Sequence, residues 1–228
     1  MRCVACQQPI CTELPLPWLF SRRRYVPPTI CSFCAAQFEP IDMQIACPGC
    51  CRPKTAHLCD ECQRWQHLYP QEHFRHTALF HFNPAMSTYF QNYKTHGDYR
   101  LRRLFECNLK HYFETVTDDC LFVPIPTDAK HAERRGFDPV QGIYGEVVSL
   151  TPLLNKKTTA MAQAAKSRAG RLASPQFFEW SAATAVPASK RILLLDDVYT
   201  TGRTLFHARA CLRQAGYQGR IDSFSVAR

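Results

Sequence analysis

Four times within its first 62 residues the chain sets two cysteines with two residues between them: Cys3 and Cys6, Cys31 and Cys34, Cys47 and Cys50, Cys59 and Cys62. That gap lets both thiolates of one tight knuckle point at a single ion, and a tetrahedral site needs two such knuckles brought together. The eight cysteines therefore read as two four-cysteine zinc sites. Such sites have no open coordination position, so they stabilise a fold and do not catalyse. Pro48-Gly49 supplies the turn residues of the third knuckle. The simplest pairing joins the first two pairs and then the last two, and the spacing leaves an interleaved pairing open. Cys11 and Cys51 are left over and read as unligated thiols, although Cys51 directly follows a proposed ligand and the spacing leaves a one-residue shift of ligation open; His57 reads as a bystander because the cysteine sets are already complete.

Ten of the 13 cysteines precede residue 63. This shift in composition predicts a zinc-binding double-ribbon module over residues 1–70 and a second domain over residues 71–228. Thirteen cysteines in a secreted chain would suggest disulfides, but Met1-Arg2-Cys3 opens no apolar leader, so a reducing, cytoplasmic setting is expected. The most apolar run, Ile192 to Leu195, is far short of the roughly 18 residues that a membrane helix needs, so no membrane insertion is expected. Eight thiolates and two dications would bring the formal charge of +9 to about +5, a balance that suits an anionic partner.

Beyond residue 70 the hydrophobic pattern alternates between strand and helix. Strands are expected at 78–82, 120–125, 191–196 and 221–227. Helices are expected from Pro84 toward Asn92, over 98–112 and 139–150, and over 204–215, the last ended by Gly216. Residues 127–138 read as a basic loop, and most of 152–189 is left unassigned. Strands alternating with helices predict an α/β domain built on a parallel sheet.

The segment Arg191-Ile192-Leu193-Leu194-Leu195-Asp196-Asp197-Val198-Tyr199-Thr200-Thr201-Gly202-Arg203-Thr204 is the richest in chemistry. An apolar strand delivers two adjacent carboxylates just beyond its end and then a glycine turn into a helix. Gly202 permits the turn, successive N–H groups form an anion nest, and Thr200, Thr201 and Thr204 offer hydroxyls, with Arg203 among them. Asp196 and Asp197 are placed to accept from a ribose diol or to approach Mg²⁺. The arrangement predicts a site that reads a phosphate and a sugar together.

This segment resembles the phosphoribosyl pyrophosphate signature of type I phosphoribosyltransferases. Phe122-Val123-Pro124-Ile125-Pro126, Arg134-Arg135-Gly136-Phe137, and Lys94 with Gly97-Asp98-Tyr99-Arg100 narrow the likeness to the ComF/GntX family, together with Thr159, Gln163, Ser167-Arg168 and Arg171. With the cysteine pairs the likeness covers nearly the whole chain. It implies a type I phosphoribosyltransferase-like parallel sheet flanked by helices, preceded by a small four-cysteine zinc-binding module. It also implies two structural Zn²⁺, and Mg²⁺ with phosphoribosyl pyrophosphate. Lys130, Arg134 and Arg135 become candidates for neutralising pyrophosphate. Asp138-Pro139 departs from the family's Asn-Gln, which puts any role of that amide pair in doubt. Thr200 stands where purine-salvage relatives carry an aspartate that handles the base, so hypoxanthine-type salvage is disfavoured.

The resemblance implies natural competence and the uptake and use of DNA as the setting. The expected partners are phosphoribosyl pyrophosphate or a nucleotide, single-stranded DNA, and proteins of the DNA-uptake machinery. Asp196 and Asp197 would be the catalytic pair if the chain transfers phosphoribosyl groups; a non-catalytic nucleotide sensor is the other reading of the same pocket. Arg22, Arg23, Arg24 and Tyr25 mix charge with an aromatic as single-strand binders do, although solvated loops carry such runs as well. Lys156, Lys157, Lys166, Arg168 and Arg171 would form a hood over the site, a DNA-facing patch or plain surface.

Overall fold

The computed structural model describes residues 1–11, 20, 27–70, 74–116, 119–157, 176–181, 186 and 190–228. The arginine run at 22–24 with Tyr25, and Thr159, Gln163, Lys166, Ser167, Arg168 and Arg171, lie outside them.

In chain order the described elements begin with α1 (Ser32–Ala35) and α2 (Asp60–Leu68) among the cysteines. Then come β1 (His76–Phe80), α3 (Pro84–Phe90) running into a π-turn at Gln91–Thr95, a 3₁₀ turn at Tyr99–Arg103 and α4 (Glu106–Phe113). β2 (Cys120–Pro124), α5 (Ala129–Arg135) and α6 (Pro139–Tyr144) follow. The two short strands β3 (Leu154–Lys156) and β4 (Phe178–Trp180) pair antiparallel. The chain then runs through β5 (Arg191–Val198), α7 (Arg203–Gln214) and β6 (Ile221–Ala227).

The main sheet has the order β1-β6-β5-β2, all parallel, with Leu194 of β5 opposite Ser223 of β6 and Val123 of β2 opposite Leu194. β5 is apolar on both faces through Leu195, as a sheet covered on two sides requires, whereas β6 is buried along its whole length but carries Asp222, Ser223 and Ser225 among its apolar residues. Leu193, Leu195, Phe224 and Val226 face one layer, made by α3, the 3₁₀ turn, α4 and α6. Ile192, Leu194, Val123 and Ile221 face the other, which contains α7, Leu154, Phe178 and the cysteines Cys47, Cys50 and Cys59. The expected α/β fold with a parallel sheet flanked by helices is present. The segment between the cysteine clusters also reaches the sheet: Ile41 N–H donates to the Leu79 carbonyl at 2.8 Å, and His81 N–H to that of Glu39 at 2.9 Å. These bonds cover the open edge of β1, which would otherwise invite foreign strands.

Three expectations need correction. The helix expected over 98–112 is broken at Phe105 (φ −100°, ψ 11°). The tighter 3₁₀ turn before the break lets Leu101, Leu104, Phe105 and Leu109 all reach the core. The basic loop at 127–138 is in fact α5. Asp128 caps its start by accepting from Lys130 N–H at 3.1 Å, and Gly136 closes it at φ +82°. The helix expected over 139–150 stops at Tyr144.

Candidate functional site

Eight of the described cysteines gather into two groups, Cys3, Cys6, Cys31 and Cys34, and Cys47, Cys50, Cys59 and Cys62; within each, all sulfurs lie within 4.8 Å of one another. This is the simpler of the two pairings. Sulfurs about 2.3 Å from a tetrahedral ion stand roughly 3.8 Å apart. The Cys6–Cys31 and Cys47–Cys62 separations are 3.8 Å, and Cys50–Cys59 is 3.6 Å. Backbone N–H groups of Cys31 and Cys59 point at the sulfurs of Cys3 and Cys47, both at 3.4 Å, as in knuckles that shield thiolate charge. The hydrogen bond from Cys62 and the nearby Arg228 guanidinium pull the Cys50 thiol down, while the same hydrogen bond pushes the Cys62 thiol up, so one thiolate of the set is favoured, at Cys50. A Cβ at Gly49 would lie 2.8 Å from Cys62 Sγ, which is why the third knuckle needs glycine. Both groups therefore fit a four-thiolate metal such as zinc. Cys51 stays outside, buried, with its thiol on the His76 carbonyl at 3.3 Å.

The second constellation lies where the parallel strands end, the usual ligand edge of such sheets. Here β5 runs two residues further than expected, which brings Asp197 inside the strand beside Asp196, itself paired opposite Ser225. The sheet backbone fixes them more rigidly than a loop would. Asp196 Oδ1 accepts from the Asp197 N–H at 2.9 Å, and the buried Tyr144 hydroxyl donates to the Asp196 carbonyl at 2.8 Å. Burial, then the neighbouring Asp197 charge, pushes the Asp196 carboxyl up to about 7. Asp197 Oδ2 pairs with Lys94 Nζ at 2.5 Å. Lys94 comes from the π-turn after α3, and its ammonium also lies 4.6 Å from the Phe90 ring centroid.

After Tyr199 the chain turns through Thr200 and Thr201, both exposed, into Gly202 at φ +75°, which opens α7. A side chain at Gly202 would meet the backbone cost of positive φ and the Tyr199 hydroxyl as well. From outside the loop, Arg228 Nη1 donates to the Thr200 carbonyl and Trp65 Nε1 to the Thr201 carbonyl, each at 2.9 Å. Arg203 turns back along the helix, its Nε 3.4 Å from His207 Nε2. Thr204 is half-buried in the first turn of α7.

The basic candidates separate. Arg135 Nε donates to the Lys94 carbonyl at 2.6 Å and so supports the residue that holds Asp197. Lys130 and Arg134 are exposed on α5, and among the described residues neither takes part in an ion pair. Asp138 uses both carboxylate oxygens, accepting from Gln141 N–H and from Thr127 N–H, each at 3.0 Å. An asparagine amide offers only one acceptor atom, so the aspartate at this position has a structural use. Lys156 and Lys157 are exposed, on β3 and just beyond it.

Sequence reasoning had noted Lys94 only within the family likeness and had not placed Trp65, Tyr144 or Arg228 at the site. A lone tyrosine or arginine far along the chain carries no local signal of where it will end up. Trp65, three residues beyond Cys62, was a visible anomaly in a polar helix.

No family model matches the chain. It is 32% identical over 229 residues to the competence protein ComFC of Streptococcus pneumoniae (strain ATCC BAA-255 / R6), covering 100% of both chains. It is 28% identical over 207 residues to the competence protein ComFC of Bacillus subtilis (strain 168), covering 87% of this chain and 84% of that one. No described helix is long and apolar enough to cross a membrane. Paired cysteine knuckles ahead of a parallel sheet that ends in two aspartates, and full-length similarity to these relatives, lead to one conclusion: the chain belongs to the ComFC family of competence proteins.

Proposed function

We propose that the protein serves natural competence by handling incoming DNA, and that the pocket at the end of β5 binds phosphoribosyl pyrophosphate or a related phosphorylated ribose with Mg²⁺. The names of its relatives support the setting. The pocket reading is carried by one observation: Asp196 and Asp197 stand side by side in β5, Asp197 faces Lys94 at 2.5 Å, and the strand leads directly into the Gly202 turn and α7.

In this reading the loop N–H groups and the hydroxyls of Thr200, Thr201 and Thr204 receive the 5′-phosphate, with the positive end of α7 behind them. Asp196 and Asp197 accept from the ribose hydroxyls and approach the metal, which when bound would neutralise the pyrophosphate charge. Lys94 and Arg135 frame the acidic pair, and the exposed Lys130 and Arg134 on α5 extend positive charge outward toward a pyrophosphate or a DNA strand. The cysteine groups are two structural zinc sites in residues 1–70, and residues 71–228 carry the pocket.

Calorimetric titration of Mg²⁺-phosphoribosyl pyrophosphate into the metal-loaded chain tests this. Micromolar binding that falls at least 10-fold in Asp196→Asn/Asp197→Asn is the expected result. Equal binding by both chains would place the ligand elsewhere, and none by either would remove the ribose reading.

A further inference from the structure

We propose that Trp65 and Arg228 are positioning residues that hold the Thr200–Gly202 turn in its anion-receiving orientation, so that the second cysteine group acts as the mount of the phosphate loop. This rests on the reading of that loop given above.

The turn is exposed at Thr200 and Thr201, and its glycine has positive φ, features that by themselves leave a loop free to sample other shapes. Two side chains reach it from the cysteine side. Arg228 Nη1 takes the Thr200 carbonyl and Trp65 Nε1 the Thr201 carbonyl. Among the described residues no peptide bond is cis, and in a trans peptide the carbonyl and the following N–H point in opposite directions. Fixing the Thr200 carbonyl therefore turns the Thr201 N–H away from Arg228. Fixing the Thr201 carbonyl turns the Gly202 N–H away from Trp65. Two successive N–H groups are thus presented together on the side opposite the cysteines, the arrangement that makes a nest for an anion.

Both anchors are themselves held by the metal-binding segment. Arg228 Nη2 donates to Glu61 Oε2 at 2.8 Å and to Cys50 Sγ at 3.4 Å, and its guanidinium lies 4.7 Å from the Tyr199 ring centroid. Trp65 sits on α2, the helix that carries Cys62, and stacks on Phe206 of α7 with centroids 4.0 Å apart and planes at 13°. One guanidinium therefore touches a cysteine ligand and a loop carbonyl together.

The test uses the full metal-loaded chain and two mild variants. Trp65→Phe keeps an aromatic ring over Phe206 and removes only the N–H donor; Arg228→Lys keeps the charge and removes the forked geometry. Metal content is measured in each. Without ligand, ¹⁵N order parameters of Thr200, Thr201 and Gly202 are expected to fall from about 0.85 in the wild type to below about 0.6 in the double variant, with metal content unchanged. Affinity for Mg²⁺-phosphoribosyl pyrophosphate is expected to drop about 5-fold in Trp65→Phe and further in the double variant. Unchanged order parameters would overturn the proposal, and so would a loosened loop with unchanged affinity. A wild type that binds no phosphoribosyl pyrophosphate would defeat the ligand reading, while the order parameters would still decide whether these two side chains hold the loop.

Discussion

Asp196 is held in a state that costs stability. Free aspartate titrates near 3.9, and burial with the adjacent Asp197 charge raises this carboxyl to about 7. Between about pH 4 and pH 7 the folded chain keeps a proton that the unfolded chain has released, so this group makes stability fall as pH rises through that window. Lys94 opposes the shift, and Asp138 adds to it. Asp196→Asn should therefore be more stable than the wild type at pH 8, by about 1–3 kcal/mol, with the difference closing near pH 4. Denaturant unfolding of both chains at several pH values measures this. The buried His76, held neutral between Ser223 and Ser225, has its own acid dependence, which cancels in the comparison. Parallel pH curves for the two chains would mean that folding leaves the Asp196 carboxyl unshifted. Stability given up at this carboxylate is what a binding group held near the end of a central strand is expected to show.

Among the elements, α5 and α6 depend on two aspartate caps, Asp128 and Asp138. Asp138 does more, because its second oxygen ties Thr127 to the start of α6. Asp138→Ala should lower stability by about 1–2 kcal/mol, and Asp138→Asn by less, since one acceptor survives; chemical unfolding distinguishes the three chains. These helices also mark where the sequence was legible. The buried strands β2, β5 and β6 were readable because their apolar runs are bounded by charge, proline or glycine. α5 was missed although Asp128 and Gly136 are its start and stop signals, because its polar residues, most of them exposed, show no apolar period. The acidic pair and the glycine turn were legible as a local motif. Their supports, Lys94, Trp65, Tyr144 and Arg228, come from three separate elements and the residue after β6, and only the folded sheet brings them together.

For the molecule as a whole, the two cysteine groups are not equivalent. Cys47, Cys50 and Cys59 are part of the apolar layer beneath Ile192 and Leu194, whereas no cysteine of the first group is among the described core residues, and its neighbours Val4 and Ile30 pack against the core. Cys50→Ser should therefore lower the melting temperature more than Cys6→Ser, by on the order of 5 °C or more. Thermal unfolding with metal analysis checks this, and equal losses would mean that the second group is as peripheral as the first. The sheet order adds something about how such a chain is assembled. Among the described strands β1 pairs with β6, across a separation of 147 residues, and β6 enters between β1 and β5 as a keystone. A growing chain holds its metal knuckles, α2 and β1 long before their central partner exists. Assembly is thus dominated by distant contacts and is expected to be slow. Meanwhile the short stretch from Glu39 to Ile41 can already cover the outer edge of β1, leaving open just the edge that β6 will fill.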